Sequence, residues 1–298
     1  MTSRLIVGDC RSVLQTLETG SMDCCVTSPP YFGLRDYGVD EQIGLESSPQ
    51  EFVQQLVAVF REVRRVLTEE GTLWLNLGDS YARTGGWSNN NGLDGVSRNE
   101  SSRAKSNMTG NGSCSQKKPV GFKSKDLLGI PWRVAFALQN DGWYLRQDII
   151  WHKSNPMPEA VADRCTKAHE YIFLLAKSER YHFDHTAILE EAANGTKRNK
   201  RSVWSVNTRP FRGAHFATFP PDLIMPCILA GCRPGGMVLD PFNGAGTTGL
   251  VALQNARHYV GIELNREYAE LTKERLGLMS PEIETHHNAT SVAAGIEP

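Results

Sequence analysis

The chain has 298 residues, 40% hydrophobic and 22% charged, with a net charge of −1 at pH 7, the balance of a globular enzyme built as one large α/β domain or two small ones. No apolar run approaches the roughly 18 residues that span a bilayer, and the chain enters a strand-like run at Leu5 with no leader pattern before it, so a cytoplasmic protein without membrane contact is expected. The seven cysteines (10, 24, 25, 114, 165, 227, 232) form no Cys-x-x-Cys pair, so reduced thiols are expected and no metal.

Taken in chain order, Leu5–Val7 reads as a buried strand that ends at Gly8-Asp9-Cys10, and Cys24–Val26 as a second that runs into Thr27-Ser28-Pro29-Pro30-Tyr31. Residues 49–67 then place Phe52, Leu56, Val59, Phe60, Val63 and Leu67 at three- and four-residue spacing after a Ser-Pro start, which predicts a helix. Thr72–Leu77 is a strand ending near Asp79. Residues 83–118 are rich in Gly, Ser and Asn with almost no large apolar residue, which predicts a mobile loop. A helical pattern at 130–140 precedes strand-like runs at Asp148–Trp151 and Ile172–Leu175. Residues 186–214 have no clear period. The last part alternates again: helix 221–230, strand Met237–Leu239, helix 246–256, strand Tyr259–Ile262, helix 265–276, then a loose tail over 279–298. Strands alternating with helices predict a doubly wound, mostly parallel sheet.

Sheets of that kind bind ligands at the carboxyl ends of their strands. Asp9, Ser28, Asp79, Asp240 and Glu263 all stand there. The turn Asp240-Pro241-Phe242-Asn243-Gly244-Ala245-Gly246-Thr247-Thr248-Gly249 has the glycines that let backbone approach a ligand closely, with Glu263 about 20 residues on to hold ribose hydroxyls. A dehydrogenase shares that spacing, but the 35 residues after Glu263 are too few for a second mononucleotide-binding half. The acidic Asp240 also suits a cationic sulfonium ligand better than a pyrophosphate. After the second strand, two prolines fix the backbone and remove two N–H donors, leaving the Ser28 hydroxyl and the Pro29 carbonyl as acceptors beside the Tyr31 ring. That equipment can grip an amino group and stack on its base.

Together the two motifs resemble the amino-methyltransferases of DNA, the N4-cytosine and N6-adenine enzymes, with the catalytic motif ahead of the cofactor motif as in their permuted β class. The resemblance covers nearly the whole chain: Gly8-Asp9-Cys10, Gly71–Ser80, Tyr144–Lys153, His169-Glu170-Tyr171, Ala217–Pro220 and Gly261–Leu264 each look like a family segment. It implies a circularly permuted methyltransferase sheet of about seven strands with one antiparallel hairpin. Residues 1–185 would be its catalytic half, 186–214 the target-recognition segment and 215–278 the cofactor-binding half. It implies S-adenosyl-L-methionine as cofactor, held by Asp9, Cys10, Phe219, Asp240, Pro241, Phe242, Asn243, Gly244, Gly246, Thr247, Glu263 and Leu264, with Ser28, Pro29, Pro30 and Tyr31 catalytic.

The implied partner is double-stranded DNA, in a bacterial restriction–modification system with a cognate endonuclease or in a phage; monomer and homodimer stay open. A polyanion needs one positive face, not a positive total. Arg83, Arg103 and Lys105, and Lys197, Arg198, Lys200, Arg201, Arg209 and Arg212, fall in the two irregular stretches and are the candidate DNA contacts. The target base would be flipped out of the duplex. The neutral Ser28 points to cytosine N4, with adenine N6 the alternative. An RNA or protein N-methyltransferase and an inactive DNA-binding relative stand further off. Ring-carbon methylation needs a thiolate nucleophile, and Cys227, in a helix-like run, reads as core.

Overall fold

A computed structural model of the chain describes residues 2–34, 38–39, 42–82, 119, 121–208 and 219–277. Ten strands are named along it: β1 (Ser3–Val7), β2 (Met22–Thr27), β3 (Leu67–Leu77), β4 (Tyr144–His152), β5 (His169–Ala176), β6 (Glu190–Glu191), β7 (Lys197–Arg198), β8 (Val203–Ser205), β9 (Met237–Asp240) and β10 (His258–Glu263). The helices are α1 (Cys10–Thr16), α2 (Pro49–Val66), α3 (Ile130–Asn140), α4 (Pro221–Gly231), α5 (Thr247–Gln254) and α6 (Arg266–Leu276). Eight strands form one sheet in the order β1-β10-β9-β2-β3-β5-β4-β8, while β6 and β7 pair apart from it.

From β1 to β3 every pairing is parallel. β5 is antiparallel to both its neighbours, and β8 is parallel to β4. All strands of the large sheet except β5 therefore point their carboxyl ends to one rim. Chain from β9 passes outward through α5 to β10, whereas chain from β2 passes the opposite way through α2 to β3. The order reverses between β9 and β2, and at such a switch point the diverging connections leave a crevice. The glycine-rich turn leaves β9 there and the Ser-Pro-Pro-Tyr segment leaves β2.

Successive strand residues face opposite sides of the sheet, so the adjacent Cys24 and Cys25 enter different cores. Cys25 packs with Leu73, Leu75 and the stripes of α1, α2 and α3. Cys24 packs with Val26, Trp74 and the residues of α4 and α5. The α2 stripe buries Phe52, Leu56, Val59, Phe60, Val63 and Val66. Each such side chain is worth about 1.5–3 kcal/mol over leaving it in water. Ser48 caps this helix by accepting from Glu51 N at 3.2 Å, and Pro49 opens it.

Two features depart from the sequence-based expectation. α1 has seven residues, too short to show a helical period, and is started by Asp9, which accepts from Arg11 N at 2.8 Å. The segment 186–214 is not without structure: its β8 adds an eighth strand to the sheet. Trp204 is the reason. Its ring is buried in the second core, its Nε1 donates to Arg201 O at 2.7 Å, and Trp151 Nε1 donates to Val206 O at 2.7 Å. Residues 83–118, 209–218 and 279–298, including the expected basic loop and tail, lie outside the described residues.

Candidate active site

At the carboxyl rim, between the ends of β9 and β2, lies a cavity of about 900 Å³. One end is walled by Asp9, Cys10, Phe219, Pro241–Ala245, Thr247 and Glu263–Asn265, and the other by Ser28–Tyr31, Asn76, Lys153, His169 and Glu170. Two motifs separated by more than half the chain thus face one space.

The glycine-rich turn is held open by its own side chains. Gly244 and Gly246 have φ of +53° and +73°, the left-handed region that favours glycine. A Cβ on Gly246 would come within 2.6 Å of Thr272, but one on Gly244 would approach nothing nearer than Phe242 O at 3.9 Å. Gly244 therefore leaves room at the cavity wall. Asn243 fixes the turn from below, accepting from Tyr259 OH at 2.6 Å and donating to Thr272 Oγ1 at 2.8 Å. Glu263, at the end of β10, accepts from Gly244 N at 2.7 Å and from Asn265 N at 2.9 Å. Burial pushes its carboxyl up to about 7 in spite of these donors. Each oxygen keeps a lone pair for a further donor.

Asp240 is placed otherwise than expected. It is buried and absent from the cavity wall. Its carboxylate accepts from Thr27 Oγ1 at 2.6 Å, Thr248 Oγ1 at 2.7 Å and Phe242 N at 3.1 Å. Burial raises its pKa to about 6. The residue ties β2, α5 and the turn together. Its position in the motif gave no sign of this, because Thr27 is 213 residues away.

The Ser28–Tyr31 end has a polar network behind it. Asn76 Nδ2 donates to Ser28 Oγ at 3.3 Å and to Tyr31 OH at 2.7 Å. Tyr31 OH donates to Glu170 Oε2 at 2.6 Å, and Glu170 Oε1 takes an ion pair from Lys153, whose ammonium lies 4.1 Å from the Trp151 ring centroid. The Tyr31 ring covers Gly78 so closely that a Cβ there would fall 2.5 Å from Cε2. Asn76, Gly78, Lys153 and Glu170 were missed as site residues. The family-like segments contain all four, but a segment match does not say which side chain turns inward.

Other expected residues are distributed as follows. Asp9 lines the cavity with its carboxylate also engaged by Arg11 Nε at 2.9 Å. Asp79 reaches the wall too, and caps α3 by accepting from Ile130 N at 3.0 Å. Leu264 lines the cavity, and Pro29 and Pro30 form part of its wall. Arg198, Lys200 and Arg201 border a separate depression of about 880 Å³ beside β8, not the cavity. Lys197 belongs to the small β6–β7 pair. These residues precede β8, whose carboxyl end is the one that turns toward the cavity through Thr208. Arg83, Arg103, Lys105, Arg209 and Arg212 fall outside the described residues. Cys227 is fully buried in α4, where burial pushes its thiol up. His152 and His169 have Ser205 and Tyr171 as neighbours, and no group of metal-ligating side chains occurs among the described residues.

A family model described as DNA methylase matches residues 22–274. The Type II methyltransferase M.Cfr9I of Citrobacter freundii is 55% identical over 272 residues, 91% of this chain and 87% of the relative. Among solved structures, the cytosine-N4-specific PvuII DNA methyltransferase superposes with a TM-score of 0.65 at 18% identity, over 95% of this chain and 89% of that one. The M1.HpyAVI–SAM complex gives 0.57 at 18% identity, over 93% and 100%. At those identities the structural likenesses speak for the fold: a methyltransferase-type α/β sheet, mostly parallel.

Proposed function

The chain belongs to the DNA methylase family, and from that premise we propose that it transfers a methyl group from S-adenosylmethionine to the exocyclic N4 of a cytosine flipped out of double-stranded DNA. The observation that carries this reading is the shared cavity, with the acceptor-rich Ser28 end and the Glu263 end facing each other across the β9–β2 crevice.

The residues fit the cofactor. Glu263 has lone pairs to accept ribose hydroxyls, Gly244 leaves space where a side chain would intrude, and Phe219 and Phe242 give apolar wall. When bound, S-adenosylmethionine supplies an electrophilic methyl carbon. The protein's part is positioning and electrostatics. Tyr31 stacks on the extruded base, whose flipping costs a few kcal/mol. Ser28 Oγ and the Pro29 carbonyl accept from the amino group, which draws the nitrogen lone pair out of conjugation with the ring and frees it as a nucleophile. The N–C bond would form as the carbon–sulfur bond breaks, the sulfur leaving as a neutral thioether and the surplus amino proton passing to solvent, so no covalent enzyme intermediate is needed.

The uncharged serine supports cytosine. A Type II relative supports a restriction–modification setting, with an endonuclease of the same site as counterpart. Nucleoside mass spectrometry of DNA incubated with enzyme and cofactor tests the assignment: N4-methylcytosine is expected, and N6-methyladenine alone would overturn it.

A further inference from the structure

Lys153 and Glu170 meet at the back of the cavity, each about one-sixth exposed by side chain (17% and 16%). Neither belongs to the strand-end motifs. We propose that this ion pair is a charged brace that positions Tyr31 and Ser28 for the target base, a role that rests on the methyltransferase reading above.

Glu170 Oε2 can take only donors, and it faces both Tyr31 OH at 2.6 Å and Asn76 Nδ2 at 3.3 Å. A carboxylate there therefore fixes two polarities. It draws the phenol proton toward itself, and it sets the Asn76 amide with its NH2 group toward the cavity side. That NH2 has two N–H bonds for three acceptors: Tyr31 OH is the nearest at 2.7 Å, and Ser28 Oγ shares the other with Glu170 Oε2, each at 3.3 Å. A hydroxyl with one acceptor position so occupied keeps one acceptor and one donor, which matches the amino group and neighbouring ring nitrogen of the base edge. Lys153, held by Trp151, supplies the counter-charge that keeps the carboxylate stable in a half-dry site. Trp151 is itself latched to the chain after β8. Lys153 and Glu170 thus act through other side chains and are positioning residues.

The test is steady-state and single-turnover methylation of DNA by the full-length chain and its variants, with cofactor affinity by calorimetry and Tm alongside. Glu170→Gln and Lys153→Met are expected to lower kcat at least thirtyfold while KM for DNA and cofactor Kd stay within threefold. Lys153→Arg should recover most of the rate. Tyr31→Phe should cost less rate in the Glu170→Gln background than in the wild type, because the hydroxyl has already lost its carboxylate and keeps only Asn76. A raised KM for DNA with kcat intact would overturn the brace and make these residues direct contacts. Folded variants with wild-type kinetics would overturn it as well. A wild-type chain that binds cofactor but methylates no DNA would overturn the functional reading, and the brace with it.

Discussion

Thr27 Oγ1 donates to Asp240 Oδ1 across 2.6 Å, in a fully buried contact between the last residues of β2 and β9. One hydrogen bond thus joins the strand that ends in the Ser-Pro-Pro-Tyr motif to the strand that ends in the glycine-rich turn. Thr27→Val keeps the shape and removes the donor. The buried carboxylate then loses a partner, and unfolding stability should fall by about 1–3 kcal/mol. Asp240→Ala strands three donors and should lower Tm further and weaken cofactor binding through loss of the turn. Chemical denaturation with parallel calorimetry checks both; an Asp240→Ala protein with unchanged Tm and no cofactor affinity would mean direct contact instead.

Ser28→Ala should spare the cofactor. Ser28 leaves β2, two strands from Glu263 on β10 and across β9 from it, so affinity for S-adenosylmethionine is expected to stay within threefold. The methylation rate should drop about 100- to 1,000-fold, the usual scale for losing one preorganised polar contact to the reacting group.

Gly78→Ala probes the Tyr31 ring. The added Cβ would stand 2.5 Å from Cε2, so the ring has to leave its place. Slower base capture, read as a weaker 2-aminopurine fluorescence rise on mixing with DNA, is expected with cofactor affinity unchanged. An unaltered fluorescence rise would show that the ring does not stack on the base.

Glu263 should make cofactor binding depend on pH. Its carboxyl titrates near 7 in the folded chain, raised by burial from an ordinary value near 4.5. Below pH 7 the protonated group is a poorer acceptor for hydroxyls, so affinity should rise with pH toward 7 and level off above. Stability of the ligand-free protein should move the other way. The folded state holds a proton that the unfolded chain has released between about pH 4.5 and 7, so stability falls as pH rises through that window. Glu263→Gln should flatten the binding profile and, in the stability profile, leave only the fall below about pH 6 that comes from Asp240, whose carboxyl burial also raises.

Much of this was legible in the sequence. The periods of α2, α3 and α6 and the apolar runs of the central strands are local signals, and so are the Pro-Pro and Gly-rich turns. What was not legible depends on distant partners. The tie that Asp240 makes to Thr27 and Thr248 exists only once β2 lies beside β9 and α5 packs over them. Glu170 and Lys153 sit in ordinary-looking strand ends, and the antiparallel turnabout at β5 brings them to Tyr31. β8 escaped notice because three residues carry no period; its place is set by two tryptophans on neighbouring strands.

The adjacent Cys24 and Cys25 have a use of their own. Both thiols are sealed from water, one under α4 and α5 and the other under α1, α2 and α3. Alkylation of either requires its own helical layer to lift, so each reaction rate clocks a different local opening. Two consecutive residues thereby become separate reporters of the two faces: a cofactor seated, as proposed, against the turn leading into α5 should slow labelling at Cys24 more than at Cys25. Peptide mass spectrometry of single Cys24→Ala and Cys25→Ala proteins would read each layer's breathing in isolation.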